Sequence, residues 1–480
     1  MKWNHSISSE KINRMTKTIT NKLILVLSLS ITPMLYATAN AESHDKQTAT
    51  ESTALASIDT ILRTVDDQKV DAALSHLNKH WRVDYIANVL ETIAYTQSPR
   101  SQSALIQLLE SKTGQKFGRN INDWYFWLWN RPEIISESYA DFKASLYENI
   151  DPRFGKYFKQ RQNSARIRLD EIRWGGVLQD GIPPLRNPEM ISVDDATYLQ
   201  DDNVVFGIKI NGDARAYPKR ILAWHEMFVD TVGGEEIAGV YCTLCGTVIP
   251  YKTTLNGVNY ALGTSGFLYR SNKLMYDKKT QSLWNTIKGE PVLGPLVDKG
   301  IKLTHLSVVT TTWGEWKRRH PTTTVLSPNT GHNRNYGEGV AYQNYFATNE
   351  LMFNTPFADD RLKNKQEVLA LRFAASPKQQ LAIDTEFLNK NPLYKNRVGP
   401  QKLIVLTDRT GANRVYDPKN VNFVKYDRDS TLTDDKGVKW TLSESELTSQ
   451  KDNRKLISLP YHRAFWFGWH ATFPQTRLIK

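Results

Sequence analysis

The sequence predicts an α+β protein, with a helical N-terminal domain and a mainly β C-terminal domain built from two tandem copies of one unit. Three observations predict this. Apolar residues recur at helical steps up to about residue 157. Beyond Trp174, short β-branched runs alternate with Asn-Gly, Gly-Gly and Gly-Asp turn signals. That second region also aligns with itself in three segments that keep the same order.

Residues 1–41 read as a signal peptide. Lys2, Lys11, Arg14, Lys17 and Lys22 make a basic leader, and "LILVLSLSITPMLYA" is apolar but short for a membrane span. Ala39-Asn40-Ala41 matches the small-x-small cleavage pattern, which places the cut after Ala41. A retained anchor is the rival reading, disfavoured by Pro33 and the cleavage-like ending. The expected destination is a bacterial periplasm, with no transmembrane segment left after cleavage. Residues 42–52 form a polar linker.

Residues 53–173 are the expected helical domain. Val83, Ile86, Leu90 and Ile93 fall on one face, and Leu105, Leu108 and Leu109 repeat the pattern. Pro99 in "SPRSQ" suits a first helical turn. Short helices with short polar turns predict stacked hairpins of the HEAT type, a surface on which a protein partner could dock. "WYFWLW", Trp124 to Trp129, reads as a packed helix.

Charge and compartment exclude some functions. The formal charge of +12 falls to about +8 once the leader's five basic residues and one acid are removed. No dense Lys/Arg block remains, and export removes nucleic acid as a partner. The 480 residues suffice for two or three cores.

The β region divides into residues 174–365 and 366–480. "GVYCTLCGTVIPY" aligns with "IVLTDRTGANRVY", setting Val240 on Val405 and Gly246 on Gly411. "TWGEWKRRHPTTTVL" aligns with "FWFGWHATFPQTRLI", setting Trp313 and Trp316 on Trp466 and Trp469. "VVFGIKI" finds a looser match in "EVLALRF". What both copies keep is expected to be structural. Cys242 and Cys245 fall on Thr407 and Thr410, and His225 and Glu226 on Lys390 and Asn391. Those four residues, present only in the first copy, are the candidates for chemistry.

Cys242 and Cys245 are the chain's only cysteines. In an oxidising compartment such a pair closes readily, and one thiolate can attack a disulfide while the second resolves it. His225 is placed to keep a thiolate available. The same residues leave a second reading open: Cys242, Cys245 and His225 as ligands of a copper or zinc ion. A third is a non-enzymatic envelope scaffold. "GTSGFLYRSNKLMYD" reads as a substrate-binding loop, with Ser265, Tyr269, Arg270 and Tyr276 lining the cleft, and a packed β-turn is the alternative for the last three. His320 reads as packing near the Pro321 corner.

Taken together, "QDGIPPLRNP", "GDARAYPKRILAWHEMFVDTVGG", "YCTLCGT", "GTSGFLYRSNKLMYDKKTQSLW" and "TWGEWKRRHP" resemble domain-of-unknown-function family 3179, a bacterial family of largely exported proteins. The resemblance runs from about Trp174 to the C-terminus. Some members carry selenocysteine in the Cys-x-x-Cys region, which implies redox chemistry at Cys242 and Cys245. Here both positions are cysteine, so that chemistry would run on sulfur. The family name supplies no substrate.

Overall fold

The N-terminal helices form where the sequence offers caps and apolar faces. In the computed structural model, which describes residues 53–131 and 135–480, the first helix covers residues 53–63. The expected leader and linker lie outside the described residues. Asp66 caps the helix Asp67–Lys79 by accepting from Gln68 N and Lys69 N, and Val70, Ala73 and Leu77 are its buried face. Pro99 opens the helix Pro99–Thr113, as its fixed φ and missing N–H allow. Val83 departs from expectation. It begins a 3₁₀ turn, Val83–Tyr85, and is 52% exposed, because the α-helical register starts only at Ile86.

Residues 53–82 and 92–112 form one compact unit; residues 83–91 and 113–480 form the other. Within the second, Glu91 and Lys143 make an ion pair buried to 0% exposure. Tyr139 and Tyr147 donate to the Glu91 carboxylate, and Lys143 Nζ donates to Ile172 O. These bonds supply the partners that a buried ion pair requires. Trp124, Tyr125, Leu128 and Trp129 bury the aromatic helix Ile121–Trp129. Tyr147, Phe154, Tyr157 and Phe158 all pack on the ring of Phe267. They fasten the helical segments to the hairpin Leu262–Tyr269/Asn272–Asp277.

The β region contains two sheets with one pattern. In the first, Val204–Ile210 lies between Val309–Thr312 and Asp213–Pro218, both antiparallel, and Thr324–Leu326 joins Asp213–Pro218 in parallel. In the second, Glu367–Arg372 lies between His462–Phe465 and Gln380–Asp384, with Arg477–Ile479 parallel at the edge. Each second strand leads to a short helix, Lys219–His225 or Thr385–Lys390. A three-stranded meander follows: Met227–Val232, Glu235–Cys242 and Thr247–Lys252 in one case, and Leu393–Val398, Gln401–Thr407 and Asn413–Tyr416 in the other. Each series then carries a further antiparallel sheet before its last helix, Trp313–Arg319 or Trp466–Thr472.

Matching bonds repeat at matching places. Trp316 Nε1 donates to Thr323 Oγ1 at 2.9 Å, and Trp469 Nε1 donates to Thr476 Oγ1 at 2.9 Å. In the further sheets, Trp284 Nε1 donates to Asp277 and Trp440 Nε1 to Asp434. The two regions share their cores. Val205, Trp313 and Trp316 pack with Leu369, Ile383 and Val405. Val240, Met275 and Trp284 pack with Val368, Trp466 and Trp469. His320 packs on Trp316, with ring centroids 4.3 Å apart. Among the described residues no helix is long and apolar enough to cross a membrane.

Candidate functional site

Cys242 is the last residue of the middle strand Glu235–Cys242 and pairs with Thr247 across the turn. Thr243–Cys245 makes one 3₁₀ turn, closed by Gly246 at φ 56°. A side chain at Gly246 would be strained there, and its Cβ would lie 2.7 Å from the Phe465 ring. The turn brings the two cysteine Cα atoms to 5.3 Å and their sulfurs to disulfide distance. Cys242 is 2% exposed and Cys245 0%.

The covering residues come from distant parts of the chain. Leu244, Leu268, Tyr345, Phe465 and Phe467 form one apolar cluster with the cysteines. Tyr345 Oη donates to Leu244 O at 2.8 Å. The helix Trp466–Thr472 lies so close that a Cβ on Gly468 would be 3.1 Å from Cys245 Cβ. On the other side, Cys245 Sγ lies 3.3 Å from Ser271 O.

Ser271 reaches that position through an unusual turn. Arg270 and Ser271 link Tyr269 to Asn272 with φ of 50° and 62°. Such two-residue turns favour Asn-Gly, and side-chain-bearing residues there store backbone strain. Arg270 is held by an ion pair with Glu171, by Ala471 O at 3.0 Å and by the Phe357 ring. Glu226, at φ 54°, is a third left-handed non-glycine residue of the site.

Glu226 and His225 end the helix Lys219–His225 and take different surroundings. Tyr241 N donates to Glu226 O at 2.9 Å, lacing this helix end to the residue before Cys242. The Glu226 carboxylate pairs with buried Lys273 at 3.1 Å and accepts from Tyr342 Oη at 3.3 Å. Burial pushes the Lys273 ammonium down in pKa, and Glu226 opposes the shift. His225 Nδ1 lies 2.9 Å from Pro183 O and Nε2 2.5 Å from Tyr336 Oη, so neither ring nitrogen is bonded to a cysteine sulfur. Burial lowers its pKa to about 4, and His332 and Arg334 push the same way.

The stretch read as a binding loop is a β-hairpin. Its Gly and Ser residues serve a bulge between Thr264 and Leu268, where the register shifts. Ser265 Oγ donates to Leu274 O at 2.6 Å and accepts from Phe267 N at 3.0 Å, so its hydroxyl is engaged inside the hairpin. Tyr276 Oη donates to Asp180 at 2.6 Å. Tyr269 is buried beneath the Arg270 guanidinium. Among the described residues no three His, Cys, Asp or Glu side chains are grouped so as to hold a metal ion. Cys242, Cys245 and His225 thus do not form such a group.

Several residues of the site escaped sequence reasoning. Thr243 Oγ1, Ser271 Oγ and Asn272 Oδ1 are buried at the cysteine turn and the hairpin beside it, with no hydrogen-bond partner among the described residues. Three such atoms around one cysteine pair are unusual, since buried polar atoms are normally paired. Nearby, Phe467 and Leu351 of the cysteine cluster also line a cavity of about 230 Å³. Asn354, Asp359, Asn364 and His470 give that cavity polar walls, and His470 Nε2 lies 3.2 Å from Asp359 Oδ2. The Cys-x-x-Cys spacing, Glu226 and Arg270 were visible in advance; the apolar cover of Leu268, Tyr345, Phe465 and Phe467 assembles through tertiary contacts.

Fold and site define an α+β protein with a buried Cys-x-x-Cys pair at the turn between the second and third strands of a β-meander. The family described as "Protein of unknown function (DUF3179)" matches residues 179–476, more than half of the chain, and the chain belongs to it. No curated protein and no solved structure matches the chain.

Proposed function

We propose that this is an exported thiol-based oxidoreductase whose Cys242–Cys245 pair cycles between disulfide and dithiol. The observation that carries the reading is the shell around the pair. Two sulfurs at disulfide distance are flanked by strained backbone at Glu226, Arg270 and Ser271 and by three unpaired buried polar atoms, on Thr243, Ser271 and Asn272. Strain and unpaired polar groups cost stability, and they concentrate where function requires them. In the exchange, a substrate thiolate attacks one sulfur and the other leaves as a thiolate. A second substrate thiol then displaces the bound one, leaving a Cys242/Cys245 dithiol and a substrate disulfide. In the opposite direction the dithiol gives the same two electrons to a peroxide O–O bond, forming two hydroxyl products and restoring the disulfide. The near-complete burial of both sulfurs favours a small substrate, with the cavity beside Phe467 as its approach.

Export belongs to this reading through the basic leader, its apolar run and Ala39 to Ala41. So does internal duplication, supported by the two matching strand orders and the paired Trp–Thr bonds. A HEAT-type role for the helices, docking a partner, rests on their short connections alone.

One observation favours a second reading, a structural staple. In the matching turn Asp408 takes over the pinning, accepting from Thr410 N, Thr410 Oγ1 and Ala412 N. The midpoint potential separates the two. A reversible couple above about −300 mV in the purified mature protein is the expected result. A value well below it, with the disulfide intact in glutathione buffers, sinks the redox function.

A further inference from the structure

Away from the cysteines, the two regions meet at a buried cluster of bases that lacks an acid. His305 lies opposite Tyr251 in a β-bridge, so their side chains share a face. Arg372 Nη2 donates to Tyr251 Oη at 3.0 Å. His462 lies opposite Ala370, and Ala370 and Arg372 share a face of their strand, which makes His462 and Arg372 diagonal neighbours. Arg372 is 8% exposed and His462 1%.

Their hydrogen-bonding capacity is unspent. Arg372 Nε, His305 Nε2 and His462 Nε2 are all buried without a partner among the described residues. Tyr251 Oη cannot serve as a further donor, since it already faces Thr286 O at 2.7 Å and Ile287 O at 3.0 Å. His462 Nδ1 lies 3.2 Å from Arg463 O. Among the described residues no carboxylate pairs with Arg372, whereas the other deeply buried guanidinium, Arg414, has both Asp408 and Glu444. Burying an unpaired cation costs several times what a paired one does.

The wider surroundings are positive as well. Lys288 and Lys302 face the cluster, and Glu290 is the acid near it, 4.0 Å from Lys288. Burial and then Arg372 hold His462 down to about 3, and burial, Arg372, His462 and Lys302 hold His305 well below its ordinary value. Both imidazoles are therefore neutral near pH 7, with proton sites free to fill when negative charge arrives.

We propose that Arg372, His305 and His462 form a binding site for a small oxyanion of the sulfate or phosphate type. Arg372 Nε donates to one oxygen, and the imidazoles take up protons on binding and donate from Nε2. Three convergent donors with a planar guanidinium suit such an anion, and the free lone pairs of two histidines beside a fixed cation disfavour a metal ion. The site draws residues from both β regions, so a bound anion would tie them together.

The full mature chain is tested by thermal unfolding in sodium sulfate and in sodium phosphate, each against sodium chloride at equal ionic strength. The expected result is a midpoint rise of several degrees over chloride, larger at pH 6 than at pH 8 because binding takes up protons. Arg372→Met should abolish that rise and also raise the midpoint in chloride, since it removes an unpaired buried cation. His462→Gln should keep the fold and reduce the rise at least tenfold in apparent affinity, with its pH dependence weakened. An equal rise in wild type and both variants would mean a general salt effect and overturn the site. So would a rise independent of pH, or no rise at all.

Discussion

The turn Thr243–Cys245 and the turn at Asp408–Thr410 end matching middle strands, yet they are held by different chemistry. In the second, a buried carboxylate gathers three donors and pairs with Arg414 at 2.9 Å. In the first, the matching place is taken by Thr243, whose hydroxyl is unpaired, and two sulfurs close the turn instead. The difference teaches that one turn geometry can be closed by two kinds of pin, a buried carboxylate in one meander and a sulfur pair in the other.

The largest effect should come from Asp408→Ala, which strips the second turn of its acceptor and Arg414 of one carboxylate. A loss of about 3 kcal/mol is expected in urea unfolding. The double change Cys242→Ala/Cys245→Ala should cost less, about 2 kcal/mol, the chain-entropy value for so short a loop. If the cysteine loss matched or exceeded the Asp408 loss, the carboxylate would not be the stronger pin of the two and the contrast would collapse.

Next come the two closing glycines. Gly246→Ala should destabilise by about 2 kcal/mol, because a left-handed backbone is combined with a rigid aromatic ring 2.7 Å from the new atom. Gly411→Ala has φ 85° but meets only the end of the Asn389 side chain at 3.0 Å, so about 1 kcal/mol is expected. Equal losses would show that the packing over the cysteine turn is looser than described.

The smallest effect concerns pH. His225 titrates near 4 when folded and near 6.5 when unfolded, so the unfolded chain binds the proton first as pH falls. Its contribution is fully present above pH 6.5 and is lost between pH 6.5 and 4. Lys390 holds the matching position in the second region. His225→Gln should flatten the pH dependence of the urea midpoint in that window, and an unchanged slope would place its origin elsewhere.

Much of this contrast was legible from the chain itself. The Trp-x-x-Trp corners, the closing glycines and the exchange of Cys for Thr all follow from laying residues 239–251 and 312–326 on their partners. A further match, Asp277 with Trp284 and Asp434 with Trp440, was equally present in the sequence and went unread because its spacing differs by one residue. The surroundings of the sulfurs were not legible. Tyr345, Phe467 and Gly468 reach Cys245 through tertiary packing that leaves no local periodicity. The left-handed turn at Arg270 and Ser271 was not legible, because it uses two residues that ordinarily avoid positive φ. His225 follows the same logic, since its helix end is apparent in sequence but the direction of its ring is not.

Gly468 comes far later in the sequence than the cysteine turn that it covers. A polypeptide that emerges N-terminus first therefore presents Cys242 and Cys245 well before their cover exists. During that interval the thiols stand open to whatever oxidant or enzyme meets the growing chain, and the last helix then shuts them in. A product truncated before Trp466 would keep both sulfurs and lose the cover that Phe467 and Gly468 give them.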